Sequence, residues 1–245
     1  DLDRIKEMDG VAQKIDIVFN NAGVALGRDC SLGTVDYDAW RTSFDTNVMG
    51  AVRVVETVLP HLADDATIVN VSSGLGSIGR VMNGGFNTLT QDVIYRSTKA
   101  ALNMTTACCA AELRARAPDK AIKVVSIDPG WVNTDMGSRG GTVKPPLEPE
   151  QVVRGMIDVV ANLKPEDSGK FLIAEASAGL KGVTQMMRPV ILFLLTNSRA
   201  LEPEQVRHQL TLLCRRLKPL LAQLERPWLV VSRGDSTLRG HTPLE

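Results

Sequence analysis

The sequence predicts an α/β protein: an incomplete Rossmann-like parallel sheet with helices on both faces, followed by a C-terminal βαβ unit. Three observations carry this. Short β-branched runs alternate with long segments of helical period. The runs are continuously apolar rather than alternating, as strands buried on both faces are. Each run stops at a turn rich in Asn, Ser or Gly.

Taken in order, Asp1 to Lys14 is polar and reads as the tail of a helix. Ile15 to Phe19 (IDIVF) is the first strand, stopped by Asn20-Asn21-Ala22-Gly23. Asp38 to Leu62 carries Trp40, Phe44, Val48, Ala51, Val55, Val58 and Leu62 at helical spacing, with Asp38 able to cap its start and Pro60 in its last turn. Thr67 to Val71 is the next strand and ends in Ser72-Ser73-Gly74. Gly74 to Gln91 reads as a loop, and Asp92 to Arg116 as a second long helix. A strand at Ile122 to Ile127 is stopped by Asp128-Pro129-Gly130, and a helix at Glu148 to Leu163 precedes a short strand at Phe171 to Ala174. Ser177 to Arg188 has no clear period and reads as a linker. Val190 to Leu195, Glu202 to Leu224 and Trp228 to Val231 then spell strand, amphipathic helix and strand.

Composition narrows the function classes. The 245 residues carry 28 Lys plus Arg against 28 Asp plus Glu, a net charge of zero. A neutral chain has no electrostatic reason to bind nucleic acid or an anionic membrane. Its four cysteines (Cys30, Cys108, Cys109, Cys214) are too few and too irregular for a disulfide framework or a zinc site, and His61, His208 and His241 have no ligand partners nearby in sequence. No metal is expected. No apolar run approaches the roughly 20 residues of a membrane span. A cytoplasmic protein with reduced thiols is the expectation.

Ligands of such sheets lie at the carboxyl ends of the strands, and the chemically suggestive residues cluster there in sequence. Tyr95 and Lys99 are four apart on one helix face. A phenol is a poor acid or base near pH 7, and an adjacent ammonium favours its phenolate. Ser73, ending a strand, can hydrogen-bond a carbonyl oxygen. Asn47, a poor helix former in mid-helix, can hold backbone or a water. Taken singly each has an ordinary structural reading: a common Tyr-x-x-x-Lys pair, a turn Ser, a surface Asn.

Together and in order they resemble the short-chain dehydrogenase/reductase family. The stretches are Asn20-Asn21-Ala22-Gly23, DTNVMG around Asn47, IVNVSSG containing Ser73, Tyr95-Arg96-Ser97-Thr98-Lys99 and PGWVNTDMG from Pro129. The last looks like the carbonyl-reductase-like branch, and the resemblance covers roughly residues 10 to 175. It implies a nicotinamide cofactor, NADP or NAD, and a small-molecule carbonyl substrate, in a protein that can form homo-oligomers. By resemblance Tyr95 is the general acid/base, Lys99 its pKa tuner and a ribose ligand, Ser73 the carbonyl orienter, and Asn47 the holder of a relay water. Asn21, Ala22 and Gly23 would line the adenosine side of the cofactor, and Pro129, Gly130 and Thr134 the nicotinamide side.

Two departures shape the expectation. The family opens on a strand and a Gly-rich TGxxxGxG turn that holds the pyrophosphate, and no such turn precedes Ile15. The missing strands belong in the middle of the sheet, so the Ile15 to Phe19 strand is expected to have an unpaired edge. In addition, 22 positions separate Ser73 from Tyr95, an insertion beside the site.

A second resemblance begins at the linker. LLTNSRAL (Leu194 to Leu201) and VVSRGDSTLRGHTPLE (Val230 to Glu245) resemble the N-terminal domain of the four-carbon acid sugar kinases. It implies that Asp235, Ser236 and Arg239 contact the hydroxyls and carboxylate of a sugar acid. The expected organisation is a truncated dehydrogenase domain over 1–176, a linker over 177–188 and a partial kinase N-terminal domain over 189–245. Both chain ends look like cuts, and a fusion or chimera is the reading of the whole. The leading activity is NAD(P)-dependent carbonyl/alcohol oxidoreduction, weakened by the missing turn; a sugar-acid-binding fragment or a non-functional chimera are the alternatives.

Overall fold

The computed structural model describes residues 14–83, 92–174 and 190–193. The expected features at residues 1–13, the linker 177–188, the helix from Glu202 and the strand from Trp228 lie outside the described residues.

Five parallel strands form one sheet in the order β4-β3-β2-β1-β5. They are β1 (Ile15–Asn20), β2 (Leu62–Val71), β3 (Lys123–Asp128), β4 (Phe171–Ile173) and β5 (Val190–Phe193). The fold is the α/β, Rossmann-like parallel sheet expected, with helices against both faces. Side chains of successive strand residues point to opposite faces, so the apolar runs pack both ways. Ile17, Phe19, Val69, Val125 and Ile127 pack with Val152, Met156 and Val160 of α6 (Pro149–Ala161). Their neighbours Val18, Ile68 and Val124, all fully buried, face the other way. On that second face lie α2 (Gly50–Val58), against β1 and β2, and α4 (Val93–Arg116), against β3.

The long helix expected from Asp38 is built in four pieces: α1 (Tyr37–Phe44), a π turn (Asp45–Met49), α2, and a 3-10 turn (Leu59–His61) containing Pro60. Its cap is Asp36 rather than Asp38. The Asp36 carboxylate accepts from the Asp38 and Ala39 amides at 3.0 and 2.9 Å, while Asp38 sits inside the first turn, bonded to Arg41. Two aspartates near a helix start are ambiguous by type; only backbone geometry separates them.

Three further expectations are corrected. β2 begins at Leu62, five residues early, because Leu62 pairs with Ile15 across a register irregularity. The Gly74 to Gln91 segment is not all loop: it holds a 3-10 turn (Gly74–Gly76) and α3 (Ile78–Met82), with 84–91 outside the described residues. The edge of β1 is not unpaired. β5 pairs with it in parallel, Ile17 to Asn20 matching Val190 to Phe193. The amides and carbonyls of β1 are strong hydrogen-bonding groups that need partners on both sides, and a four-residue strand from late in the chain supplies the second side.

Candidate active site

The carboxyl ends of β1, β2 and β3 open onto the first turns of α4. The turn after β1 brings Gly23 into a buried position, and a Cβ there would sit 3.4 Å from Asn47 Oδ1 and 3.5 Å from Lys99 Nζ. Gly23 thus lies in van der Waals range of both side chains. Gly76, in the 3-10 turn after β2, packs on α4 so tightly that a Cβ would lie 2.6 Å from the Lys99 carbonyl carbon. Two small residues thus set Lys99 against the sheet ends.

Asn47 lies in the π turn and is 1% exposed. A π turn shifts the register of the side chains that follow; here it accompanies an inward Asn. Its Oδ1 accepts from the Val24 amide at 2.7 Å, and its Nδ2 donates to the Val24 carbonyl and to Thr98 Oγ1, each at 2.9 Å. Thr98 Oγ1 in turn donates to the Tyr95 carbonyl at 2.8 Å. Asn47 therefore pins the turn after β1 to the Tyr95–Lys99 turn of α4.

Tyr95 is 8% exposed, and the Ser73 side chain lies near enough to its phenol to favour the phenolate. Ser73 also caps the 3-10 turn, its Oγ accepting from the Leu75 amide at 3.2 Å. Lys99 is 4% exposed; its Nζ donates to the Val71 carbonyl at 2.8 Å and stands 5.6 Å from the centre of the Tyr95 ring. Three donors on one ammonium and one bond made leave Nζ able to hold a ligand hydroxyl.

Electrostatics correct one expectation. Burial dominates at Tyr95 and pushes its pKa up to about 12; Arg28 and the Ser73 side chain pull it down, and Asp92 and Asp128 add to the rise. Burial also lowers Lys99, to about 8. Removing two groups from water disfavours both charged forms, so the pair at rest is a neutral phenol beside a weakly held ammonium. Among the cations it is Arg28, a residue the sequence did not single out, whose charge opposes the rise at Tyr95. Its guanidinium carbon lies 5.9 Å from the ring centre.

The far wall follows β3. The Asp128 carboxylate accepts from the Gly130 amide and from Arg80 Nη1, both at 3.0 Å. Gly130 has φ +77, a backbone conformation that strains any residue with a side chain. Thr134 caps α5 (Asp135–Ser138), its Oγ1 accepting from the Gly137 amide at 3.1 Å. Pro129 is half-buried, and Gly130 and Thr134 are exposed at this rim. Asn21 is exposed and Ala22 half-buried beyond β1. Asn47, Ser73, Tyr95, Lys99 and Gly23 are thus drawn into one cluster, and the 129–134 segment forms its opposite rim. Asp235, Ser236 and Arg239 lie outside the described residues. Among the described residues no group of His, Cys, Asp and Glu is placed to hold a metal ion, and no helix is long and apolar enough to cross a membrane.

Comparison with known proteins agrees with this geometry. Residues 3–142 match the family model of the short chain dehydrogenases, and residues 159–245 match that of a sugar-binding N-terminal domain. β1 to β3 therefore fall in the first match, and both edge strands, β4 and β5, fall in the second. The C-signal protein of Myxococcus xanthus is 38% identical over 64% of this chain and 87% of its own length. The 1-hydroxy-2-glutathionyl-2-methyl-3-butene dehydrogenase of Rhodococcus is 34% identical over 64% of this chain, which spans 65% of that enzyme. Among solved structures, the NADPH-bound carbonyl reductase from chicken fatty liver superposes with a TM-score of 0.60 at 30% identity, over 72% of each chain. The carbonyl reductase Sniffer of D. melanogaster gives 0.60 at 28% identity, over 72% of this chain and 71% of that one. The chain belongs to the short-chain dehydrogenase family.

Proposed function

We propose that the chain is an NAD(P)-dependent oxidoreductase acting on the carbonyl or alcohol of a small molecule, with Tyr95 as the proton-transferring group. The observation that carries this is the buried Tyr95, with the Ser73 side chain beside its phenol and Lys99 Nζ 5.6 Å from its ring centre. Lys99 Nζ suits a ribose of the dinucleotide, because it makes one bond, to the Val71 carbonyl, and has donors left to give, while Gly23 beside it belongs with Asn21 and Ala22 to the adenosine side. When bound, the dinucleotide supplies the hydride.

The residues of the chain do the rest. Ser73 donates to the substrate oxygen and orients it. Tyr95, whose pKa of about 12 keeps it protonated near neutrality, gives its proton to the oxygen as negative charge develops there. That protonation state suits reduction of a carbonyl. Lys99, protonated below its pKa of about 8, stabilises the phenolate left behind and holds the ribose. The Asn47 side chain clamps the turn after β1 to α4; a relay water would be held by the remaining lone pair of its Oδ1. Asn21 and Ala22 border the adenosine side and Pro129, Gly130 and Thr134 the nicotinamide side.

The test uses the whole chain. Isothermal titration with NADPH and NADH, followed by oxidation of each in the presence of a panel of aldehydes and ketones, is expected to show turnover that Tyr95→Phe abolishes. Turnover unchanged in Tyr95→Phe, or no dinucleotide affinity at all, would overturn the reading.

A second reading rests on the match of residues 159–245 to a sugar-binding domain. We infer a division at 1–176, 177–188 and 189–245, with Asp235, Ser236 and Arg239 able to contact a sugar acid through hydroxyl hydrogen bonds and an Arg–carboxylate fork. Titration with threonate, compared between the chain and Arg239→Met, tests it; equal heats from the two would remove it.

A further inference from the structure

We propose that Arg28 is a positioning residue for the proton transfer: its guanidinium, fixed over the Tyr95 ring, holds a positive charge beside the phenolate that Tyr95 becomes when it protonates the carbonyl oxygen. The proposal deepens the carbonyl-reducing reading and rests on it for the step that makes the phenolate.

Arg28 reaches Tyr95 from the segment after β1. Gly27, just before it, has φ +62, a conformation strained for any residue with a side chain. Arg28 itself is half-buried, and its guanidinium carbon lies 5.9 Å from the centre of the Tyr95 ring. Its Nη1 donates to the Met136 carbonyl at 2.9 Å, which ties it to the rim after β3. Its Nε is buried and has no hydrogen-bond acceptor. Buried donors are ordinarily met, so hydrogen bonding alone does not explain a guanidinium held here with one donor unmet. A cation facing an aromatic ring within about 6 Å is also attracted by the ring itself, which fixes its place before any charge develops.

The charges around the phenol are of both signs. Lys99 Nζ stands 5.6 Å from the ring centre. The Ser73 side chain favours the phenolate, while the carboxylates of Asp92 and Asp128 oppose it. Asp128 is paired with Arg80 at 3.0 Å. Asp92, 6% exposed at the start of α4, feels the charges of Arg28, Arg96 and Arg139. Asp29 follows Arg28 in the chain, and Asp135 precedes Met136. What distinguishes Arg28 among these groups is its place. After burial its charge is the largest influence on the Tyr95 phenol, and it acts toward the phenolate.

The reaction needs such a charge. As hydride reaches the carbonyl carbon, the Tyr95 O–H bond breaks and its proton bonds the carbonyl oxygen. The electron pair stays on Tyr95, which becomes a buried phenolate. The products are the alcohol and the oxidised dinucleotide, and Tyr95 regains a proton from water. A buried anion is costly unless a cation lies close. Lys99 supplies one only while protonated, and burial lowers its pKa to about 8. A guanidinium keeps its charge at every working pH. Below about pH 8 both cations support the phenolate; above it Arg28 is the one that remains.

Two variants separate charge from hydrogen bonding. Arg28→Gln keeps a donor for the Met136 carbonyl and loses the charge; Arg28→Lys keeps the charge. The chain has two tyrosines, Tyr37 and Tyr95, so difluorotyrosine in a Tyr37→Phe background marks Tyr95 alone, and the fluorines bring its titration into a workable range. Fluorine NMR of the full chain is expected to show Tyr95 titrating about one pKa unit higher in Arg28→Gln than with Arg28 in place, and Arg28→Lys in between. With the best carbonyl substrate of the panel, Arg28→Gln should lower kcat about tenfold and leave KM within about twofold, the mark of an interaction made in the transition state. Its loss of activity above about pH 8 should be steeper than that of the unaltered chain. An unchanged Tyr95 titration in a folded Arg28→Gln overturns the proposal, as does an equal loss of kcat in Arg28→Gln and Arg28→Lys, which marks a structural role. If neither variant folds, the unaltered chain decides: activity that disappears altogether as pH passes about 8 leaves no cation acting beyond Lys99 and overturns the proposal. The two readings fail separately. Turnover lost in Tyr95→Phe with an unshifted titration leaves the reductase without Arg28; a shifted titration with no turnover leaves the coupling of Arg28 to the phenol without the reductase.

Discussion

The two sides of β1 are paired over the same four residues, Ile17 to Asn20, yet they are built differently. On one side β2 pairs Thr67 to Asn70 in a ten-residue strand. There the ladder is reinforced by side chains: Asn20 Nδ2 donates to Asn70 Oδ1 at 2.8 Å, and Asn70 Nδ2 to Thr106 Oγ1 of α4 at 2.9 Å. On the other side β5 offers four residues contributed from some 170 positions later in the chain. The first side ends directly in the Ser73, Tyr95 and Lys99 cluster. On the second side the backbone ladder runs to Phe193, level with Asn20. A parallel sheet needs both sides of its inner strands closed, but chemistry needs only the side where polar groups are held by a second layer of bonds. The β2 side, with its side-chain bonds to Thr106, is the one that leads to the proposed site.

The sharpest way to break this comparison is to remove one atom from the chemical side. Tyr95→Phe should lower carbonyl reduction by about a thousandfold, within the usual range for a lost general acid, while the melting temperature stays within a few degrees because the buried ring remains. A steady-state assay paired with a melting curve checks both halves.

Next comes the opposite side. Ile191→Pro removes a ladder donor in β5 and should cost about 3 kcal/mol, by analogy with proline inside regular structure. For a domain of this size that is roughly 6 to 12 °C in Tm. It should also make the protein self-associate through the bared edge of β1. Calorimetry and sedimentation read the two effects; an unchanged Tm and a monomer would show that β5 does not close the sheet.

Lys99 links the two sides with opposite signs. Lys99→Met should remove most activity yet raise stability at pH 7, since a pKa lowered by burial means that the folded state disfavours the charge. The lost bond to the Val71 carbonyl subtracts from that gain. The sign over pH follows. Below about 8 the ammonium is charged in both states and the cost is fully present; between about 8 and 10.5 the folded state alone has lost the proton, so stability rises with pH. Urea midpoints over pH 7 to 10 should climb in the unaltered chain more steeply than in the variant. The smallest effect is kinetic: kcat/KM for reduction should fall several-fold as pH passes 8, as Lys99 loses its charge, with no fall from Tyr95 in that range.

The parts of the site that were legible are those carried by sequence-local patterns. Tyr95 and Lys99 share a face by spacing alone. Ser73 and Gly23 lie at strand ends because parallel strands end in turns. Arg28 and Asp92 were not legible, because their role comes from proximity across segments more than 60 positions apart; an arginine after a glycine in a turn has no local signature. The π turn at Asn47 was hidden inside a helical period, since one extra residue per turn barely disturbs the apolar spacing. The pKa of Tyr95 was read in the wrong direction for a related reason: the spacing shows the ammonium, and only burial shows how strongly both charges are disfavoured.

By itself the sequence determined the alternation of strands and helices, the apolar faces that bury the sheet, and the order of the motifs at its carboxyl end. These depend on neighbours within a few turns of chain, where side-chain period and turn chemistry act directly. The tertiary structure decided which strand closes β1, which aspartate caps α1, and which cations meet at the mouth of the site. Those outcomes depend on hydrogen-bond partners, solvent exclusion and charge brought together across long loops, and a strand run such as Val190 to Phe193 has the same local preference beside any open edge.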